Sequence, residues 1–206
     1  MINAEGVTKF SLTFRRAAPP SRVLVDDLIT WRDELVALGV VGQDPRRYDG
    51  IGFGNLSRRH PGRSGAFIIT GTQTGALATL ACHDFAIVTA ADSTTNSLIA
   101  HGGRPPSSEA LTHAALYRAD ARVAWVFHGH APALWRAAMR LRLPITAADI
   151  LYGTPAMAAA VGAIAQAAEL PGLLAMGGHE DGVIAFGSTA ERTGQFLQRQ
   201  LRRALS

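Results

Sequence analysis

Two histidines separated by one glycine, His128-Gly129-His130, close the apolar run Val123-Ala124-Trp125-Val126-Phe127. In an extended strand, residues two apart face the same way at roughly 6 to 7 Å, so both imidazoles can turn toward one cation while their neighbours bury apolar side chains. Three consecutive residues thus offer half of a tetrahedral shell. His179 lies downstream in the glycine-rich turn Gly177-Gly178-His179, between the apolar runs Leu173–Ala175 and Val183–Phe186, a position from which a neighbouring strand can deliver a third imidazole. Its plainer reading is an exposed turn residue. Glu109 follows Ser107-Ser108 in the first turn of an expected helix, where the helix dipole favours a carboxylate whether or not it does chemistry. The chemical reading is that Glu109 completes the empty shell and moves a proton when substrate displaces it. His113, four residues on, is expected to pack beside Glu109. His60, His83 and His101 have no spacing partner and read as surface or structural residues.

Two further segments, Gly54-Asn55-Leu56-Ser57 and Thr70-Gly71-Thr72-Gln73-Thr74-Gly75, form turns that expose backbone amides and hydroxyls. With Ser107-Ser108 at a helix N-terminus they can cradle an oxyanion or phosphate, although each alone is an ordinary turn. The chain holds one lysine, Lys9, against nineteen arginines. A Schiff base needs a desolvated lysine at the centre of the fold, and Lys9 lies in an N-terminal stretch without strong periodicity, remote from the histidines. A bound cation is the remaining electron sink.

The 206 residues, 48% of them hydrophobic, fit a single domain over 1–206 with a sizeable core. The first twenty residues, ending Ala17-Ala18-Pro19-Pro20, read as an N-terminal arm. No apolar stretch reaches the roughly 18 residues of a membrane span, and Met1–Glu5 lacks the basic start and apolar core of a signal peptide, so a cytoplasmic location is expected. The single Cys82 cannot form an internal disulfide, which agrees with a reducing compartment. A net charge of +4 permits nucleic-acid binding, but the pairs Arg15-Arg16, Arg46-Arg47, Arg58-Arg59 and Arg202-Arg203 are dispersed, with no basic stripe and interleaved aromatics. Neither nucleic acid nor membrane is therefore an expected partner. These arginines read as solvated or subunit-facing, with small anionic substrates as the functional alternative.

The elements that must position the chemistry follow from periodicity. Leu24, Leu28, Trp31, Leu35 and Leu38 predict an amphipathic helix over 22–38, stopped near Gly39. Strands are predicted at 52–58, 65–70 and 85–89, then a helix at 107–118, the strand 122–127 leading into the histidine pair, and a helix at 133–141. Thr154-Pro155 opens another helix. Ser188 with Glu191 is a capping-box pattern for a last helix that buries Phe196, Leu197, Leu201 and Leu205.

The ordered set Gly54-Asn55-x-Ser57, Thr70-Gly71, Pro106-Ser107-Ser108-Glu109, His128-x-His130 and His179 resembles the class II aldolase/adducin family, over about residues 24–205. The resemblance implies an α/β fold, a three-layer α/β/α sandwich with a central mainly antiparallel sheet. It also implies a homotetramer with active sites between subunits. It makes His128, His130 and His179 ligands of a divalent metal, zinc first, with iron, manganese or cobalt as alternatives. Glu109 becomes the acid/base and fourth ligand. Gly54, Asn55, Thr70, Gly71, Ser107 and Ser108 match positions that hold substrate phosphate.

The implied activity is that of a metal-dependent carbon-carbon lyase, a retro-aldol cleavage of a small hydroxy-carbonyl compound through a cation-held enediolate. Three features depart from the sugar-phosphate aldolases of the family: the longer turn Thr70–Gly75, Glu180-Asp181 after the third histidine, and no evident tyrosine proton donor between Leu143 and Ile150. Decarboxylation, epimerisation or ferrous-iron oxygen chemistry on the same fold therefore stand as alternatives. A non-catalytic scaffold like the adducin head is a third, from another class.

Overall fold

A computed structural model describes residues 8–206 of the chain. In chain order it contains β1 (Ser11–Arg16), α1 (Arg22–Ala37), β2 (Asn55–Arg59), β3 (Phe67–Thr70), β4 (Phe85–Asp92), β5 (Ser97–Gly102) and α2 (Ala110–Ala119). There follow β6 (Trp125–His130), α3 (Pro132–Arg136), α4 (Pro155–Ala167), β7 (Gly172–Ala175), β8 (Gly182–Gly187) and α5 (Ala190–Leu205). The strands form one sheet in the order β1-β5-β4-β3-β2-β6-β8-β7. Every neighbouring pair is antiparallel except β1 with β5.

Strand alternation sends side chains into two separate cores. Phe67 and Ile69 of β3 and Val126 of β6 pack with Leu111 and Leu116 of α2 and Val161 of α4. Ile68, Trp125 and Phe127 pack on the other face with Leu28 and Leu35 of α1, Leu134 of α3 and Leu197 of α5. The helices thus sit in two layers on either side of the sheet, as the resemblance implies. Burial on both faces explains why β3 and β8 are unbroken apolar runs with no period of two, and each fully buried Leu or Phe contributes about 1.5 to 3 kcal/mol.

Several boundaries differ from expectation for identifiable reasons. Helix α1 turns a slightly different face inward: Val25 and Ile29 are buried, Leu38 is half exposed, and Arg32 is buried. The Arg32 guanidinium is satisfied there by donating to the carbonyls of Thr74 (3.2 Å) and Ala78 (3.3 Å), which ties down the loop after β3. Helix α2 starts at Ala110, after a turn in which Ser107 N–H donates to the Thr70 carbonyl (3.2 Å) and Ala110 N–H to the Ser107 carbonyl (3.0 Å). Helix α3 ends at Arg136, and the chain continues in turns through Arg142, where φ is +56°. Thr154 caps α4 as its sequence suggests, its hydroxyl accepting from Met157 N–H (3.2 Å). The cap of α5 is Thr189, one residue past Ser188, and Leu205 is exposed.

The arm expectation changes over Ser11–Arg16, which is an edge strand, while residues 1–7 lie outside the described residues. Strands β1 and β5 mix polar with apolar residues and carry little periodic signal. Among the described residues, no helix is long and apolar enough to cross a membrane.

Candidate metal centre and anion cradle

His128 and His130 lie within β6, on the same side as Val126, with their backbones paired to Ile184 and Gly182 of β8. Gly129 between them points to the opposite side, where a Cβ would stand 2.3 Å from Val40 Cγ1 and 2.7 Å from the Val40 carbonyl. The same carbonyl accepts from His130 N–H (2.8 Å). The glycine of the His-Gly-His motif is thus required by the chain that crosses behind it. His179 sits in the turn joining β7 to β8. That turn is closed by Met176 N–H to the Gly182 carbonyl (2.8 Å) and by Gly182 N–H to the His179 carbonyl (2.9 Å). The segment before α4 runs alongside, with Leu151 bridged to Gly178.

The three rings converge. Their centroids are 5.3 Å apart for His128 and His130, 5.2 Å for His128 and His179, and 4.6 Å for His130 and His179. One nitrogen from each ring lies within 4.8 Å of the others, and all three residues are buried. The His128 Nδ1–H donates to the Val183 carbonyl (3.1 Å), which fixes the tautomer and leaves Nε2 as a buried lone pair with no hydrogen-bond partner. Burial pushes the His128 pKa down to about 4. Burial, then repulsion from neighbouring histidines, holds His130 and His179 well below the usual histidine range, with Arg47 and Lys9 adding to it respectively. Three neutral imidazoles with converging nitrogens and an orphaned lone pair fit a divalent metal.

Glu109 is buried at the N-cap position of α2, one residue before the helix rather than in its first turn. Its Oε1 lies 3.9 Å from where a Gly153 Cβ would stand, and Tyr152, the preceding residue, places its ring 4.4 Å from that of His179. Lys9 is nearer this centre than its sequence position suggests. Its ammonium donates to the Tyr152 carbonyl (3.0 Å) and sits 3.7 Å over the Tyr152 ring, so the expectation of a remote lysine is corrected. Parallel pairing of β1 with β5 brings it there, and no local pattern announces such a pairing. His113 is fully buried one turn after Glu109, its Nδ1 bonded to Ser57 Oγ (2.6 Å), which also meets Tyr117 OH (2.6 Å). Burial lowers its pKa, and the trio is a polar knot between α2 and β2.

Parts of the two polar segments come together with the start of α2, while Ser57 lies in β2 and turns to His113 and Tyr117. Gly54, Asn55, Gly71, Ser107 and Ser108 line one pocket with the Thr72–Gly75 turn. Gly71 has no room for a side chain: a Cβ would lie 2.6 Å from Arg104 Cγ and 2.8 Å from the Asp84 carbonyl. Thr70 stays outside the lining. Its hydroxyl accepts from Leu56 N–H (3.2 Å) and its carbonyl from Ser107 N–H (3.2 Å), so it joins β2, β3 and the start of α2. Asn55 pairs with His128 across β2 and β6, which sets the cradle beside the histidines.

Sequence patterns gave no hint that Arg47, Tyr48 and Asp181 are neighbours of the histidines. The Tyr48 ring meets His130 edge-on at 4.5 Å, and its hydroxyl donates to Asp181 Oδ2 (2.7 Å). Burial raises the Tyr48 pKa, so the phenol stays protonated. Arg47 donates to the carbonyls of Gly39 (3.0 Å) and His130 (3.2 Å), a structural role in place of a purely solvated one, while Arg46 is solvated as expected. Tyr48, Tyr152 and His179 share the mouth of one pocket.

The family model for the class II aldolase and adducin N-terminal domain matches residues 44–196. No curated protein matches the chain in sequence. Among solved structures the chain is similar to L-fuculose-1-phosphate aldolase from Thermus thermophilus, with TM-score 0.66, 18% identity, and coverage of 90% of this chain and 92% of that one. It is also similar to a sugar-phosphate aldolase from Thermotoga maritima, with TM-score 0.65, 12% identity, and coverage of 89% and 94%. A third is YgbL from Klebsiella pneumoniae, described as a candidate aldolase/epimerase/decarboxylase, with TM-score 0.63, 19% identity, and coverage of 88% of each chain.

Proposed function

Because the chain belongs to the class II aldolase and adducin family, we propose that it is a divalent-metal-dependent carbon-carbon lyase. Its reaction is the retro-aldol cleavage of a small hydroxy-carbonyl substrate, phosphorylated ones included. The observation that carries this reading is the meeting of three buried imidazoles, two from a central strand and one from the β7–β8 turn, beside a polar turn cradle, where packing alone asks only for apolar side chains.

His128, His130 and His179 would hold the metal, zinc in the first instance, with Glu109 completing the shell until substrate enters. The cation supplies an electrophile that draws off negative charge as the carbon-carbon bond breaks. Neutral imidazoles leave its positive charge undiminished. Glu109 takes the proton from the hydroxyl that becomes the aldehyde carbonyl and delivers a proton to the carbon left with the bonding pair. Its burial keeps bulk water from competing for that proton. The amides and hydroxyls around Gly54, Asn55, Gly71, Ser107 and Ser108 hold the anionic end of the substrate, and Thr70 fixes their spacing. The protein works in the cytoplasm as a homotetramer with sites between subunits.

The longer Thr70–Gly75 turn favours one second reading, decarboxylation or epimerisation at the same centre, with ferrous-iron oxygen chemistry as its variant. The experiment is metal analysis of the purified protein followed by a condensation screen. Zinc-loaded protein is incubated with aldehydes and dihydroxyacetone phosphate, dihydroxyacetone, glycolaldehyde or pyruvate. Condensation with one donor is expected. Failure with all four, with carbon dioxide released from a hydroxy acid, would replace the aldolase by a decarboxylase, and iron content with oxygen consumption would point to an oxygenase. Absence of stoichiometric metal would return the scaffold reading.

A further inference from the structure

Histidines 130 and 179 come from different elements, and one short segment touches both of the stretches that carry them. We propose that Arg47 and Tyr48 form a brace that fixes the separation of these two imidazoles and thereby sets the affinity of the centre for its cation. The proposal rests on the reading of His128, His130 and His179 as metal ligands.

On one side, Arg47 Nη2 donates to the His130 carbonyl (3.2 Å) while the Tyr48 ring packs edge-on against the His130 ring at 4.5 Å and 66°. On the other, the Tyr48 hydroxyl donates to Asp181 Oδ2 (2.7 Å), two residues past His179 in the same turn. Asp181 is itself in the left-handed region (φ +61°), and its carbonyl accepts from Ala131 N–H (2.8 Å), the residue after His130. Arg47 Nη2 also donates to the Tyr48 oxygen (2.9 Å), so guanidinium, phenol and carboxylate form one chain from β6 to the β7–β8 turn. Phe53 backs the Tyr48 ring at 5.2 Å.

The backbone supports a functional origin. Tyr48 has φ of +50°, a region that bulky residues avoid and that persists only where surrounding contacts over-determine it. Here those contacts are the brace. Groups bonded directly to a metal ligand commonly change metal affinity about 10- to 100-fold when deleted; the Tyr48 hydroxyl acts one step further out, through Asp181 and the turn that carries His179, so the lower end of that range is expected.

The test measures zinc affinity of the full chain by competition with a chromophoric chelator, and the visible absorption of the cobalt(II)-substituted protein. Tyr48→Phe keeps the ring and removes only the hydroxyl. It should raise the zinc dissociation constant about tenfold and shift the cobalt bands, while the metal-free protein still unfolds cooperatively at a somewhat lower melting temperature. Asp181→Ala should lose affinity to a similar extent, and the double variant should be no weaker than Asp181→Ala alone. A Tyr48→Phe variant with wild-type affinity and cobalt spectrum overturns the brace, as does additive loss in the double variant. A wild-type chain that binds neither ion overturns the metal centre itself, a result distinct from both.

Discussion

The histidine cluster and the polar cradle beside it are built in opposite ways. The cluster is made of side chains on a central strand and a tight turn, buried, with pKa values pushed down by desolvation. The cradle is made of turns whose lining is backbone and short hydroxyl side chains, held at close approach by Gly71 and by the Thr70 bonds. A rigid, dry region suits a cation that must not shift as charge develops. An adaptable polar region suits the part of the substrate that differs between members of a family, since loops tolerate change where strands do not. The lengthened turn after Thr70 lies in the second region, and the histidines lie in the first.

The sharpest way to break this contrast is to remove a ligand. His130→Ala should abolish stoichiometric metal and lower turnover by about a thousandfold or more, since metal stabilisation of developing charge amounts to several kcal/mol. Metal analysis with kinetics checks it, and an unchanged metal content would remove His130 from the centre. Glu109→Gln should retain the metal and lose about 10²- to 10⁴-fold in kcat. Full activity there would leave the proton without its carrier.

Acid titration of the metal-free protein probes the buried histidines, those of the cluster together with His113 of the polar knot. The folded-state pKa of His128, about 4, lies below the ordinary value of 6.5, so burial favours the neutral form. The stability this provides is fully present above pH 6.5 and is lost as pH falls toward 4. The loss for this group is on the order of 3 kcal/mol, and denaturant midpoints across that window measure it. Ser108→Ala tests the cradle, since Ser107 Oγ already accepts from Glu109 N–H (3.3 Å). It should raise KM for an anionic substrate about tenfold, equivalent to one hydrogen bond of roughly 1 to 1.5 kcal/mol, with metal affinity unchanged. A fall in metal affinity would show the two regions to be one. Smallest is Thr154→Ala, which removes the α4 cap and the bond to the Leu151 carbonyl (2.7 Å) and should cost about 1 kcal/mol of stability in thermal unfolding.

The legibility of the two regions differs as their construction does. His128 and His130 could be read because a strand has a fixed period, so that identity and spacing alone predict a shared direction. Glu109 and the cradle residues could be placed only through resemblance to a family, because Gly, Asn and Ser in turns have many uses. Tyr48 gave no signal, and Asp181 and Lys9 stood out only as a departure and as a lone lysine, not as neighbours of the histidines. Lys9 looked remote because distance along the chain was the only measure at hand, and the parallel pairing of β1 with β5 shortens it.

From the sequence alone came the two-histidine strand, the helices with clear apolar stripes or caps, and the identity of residues able to hold a metal, all properties with a local cause. Only the tertiary structure decided that His179 meets the other two, that Thr70 braces the cradle instead of lining it, and that Arg47 is anchored at the centre instead of solvated. These depend on which strands lie side by side and which loop crosses behind them. That choice is made by the joint burial of two cores, and no single stretch of residues contains it.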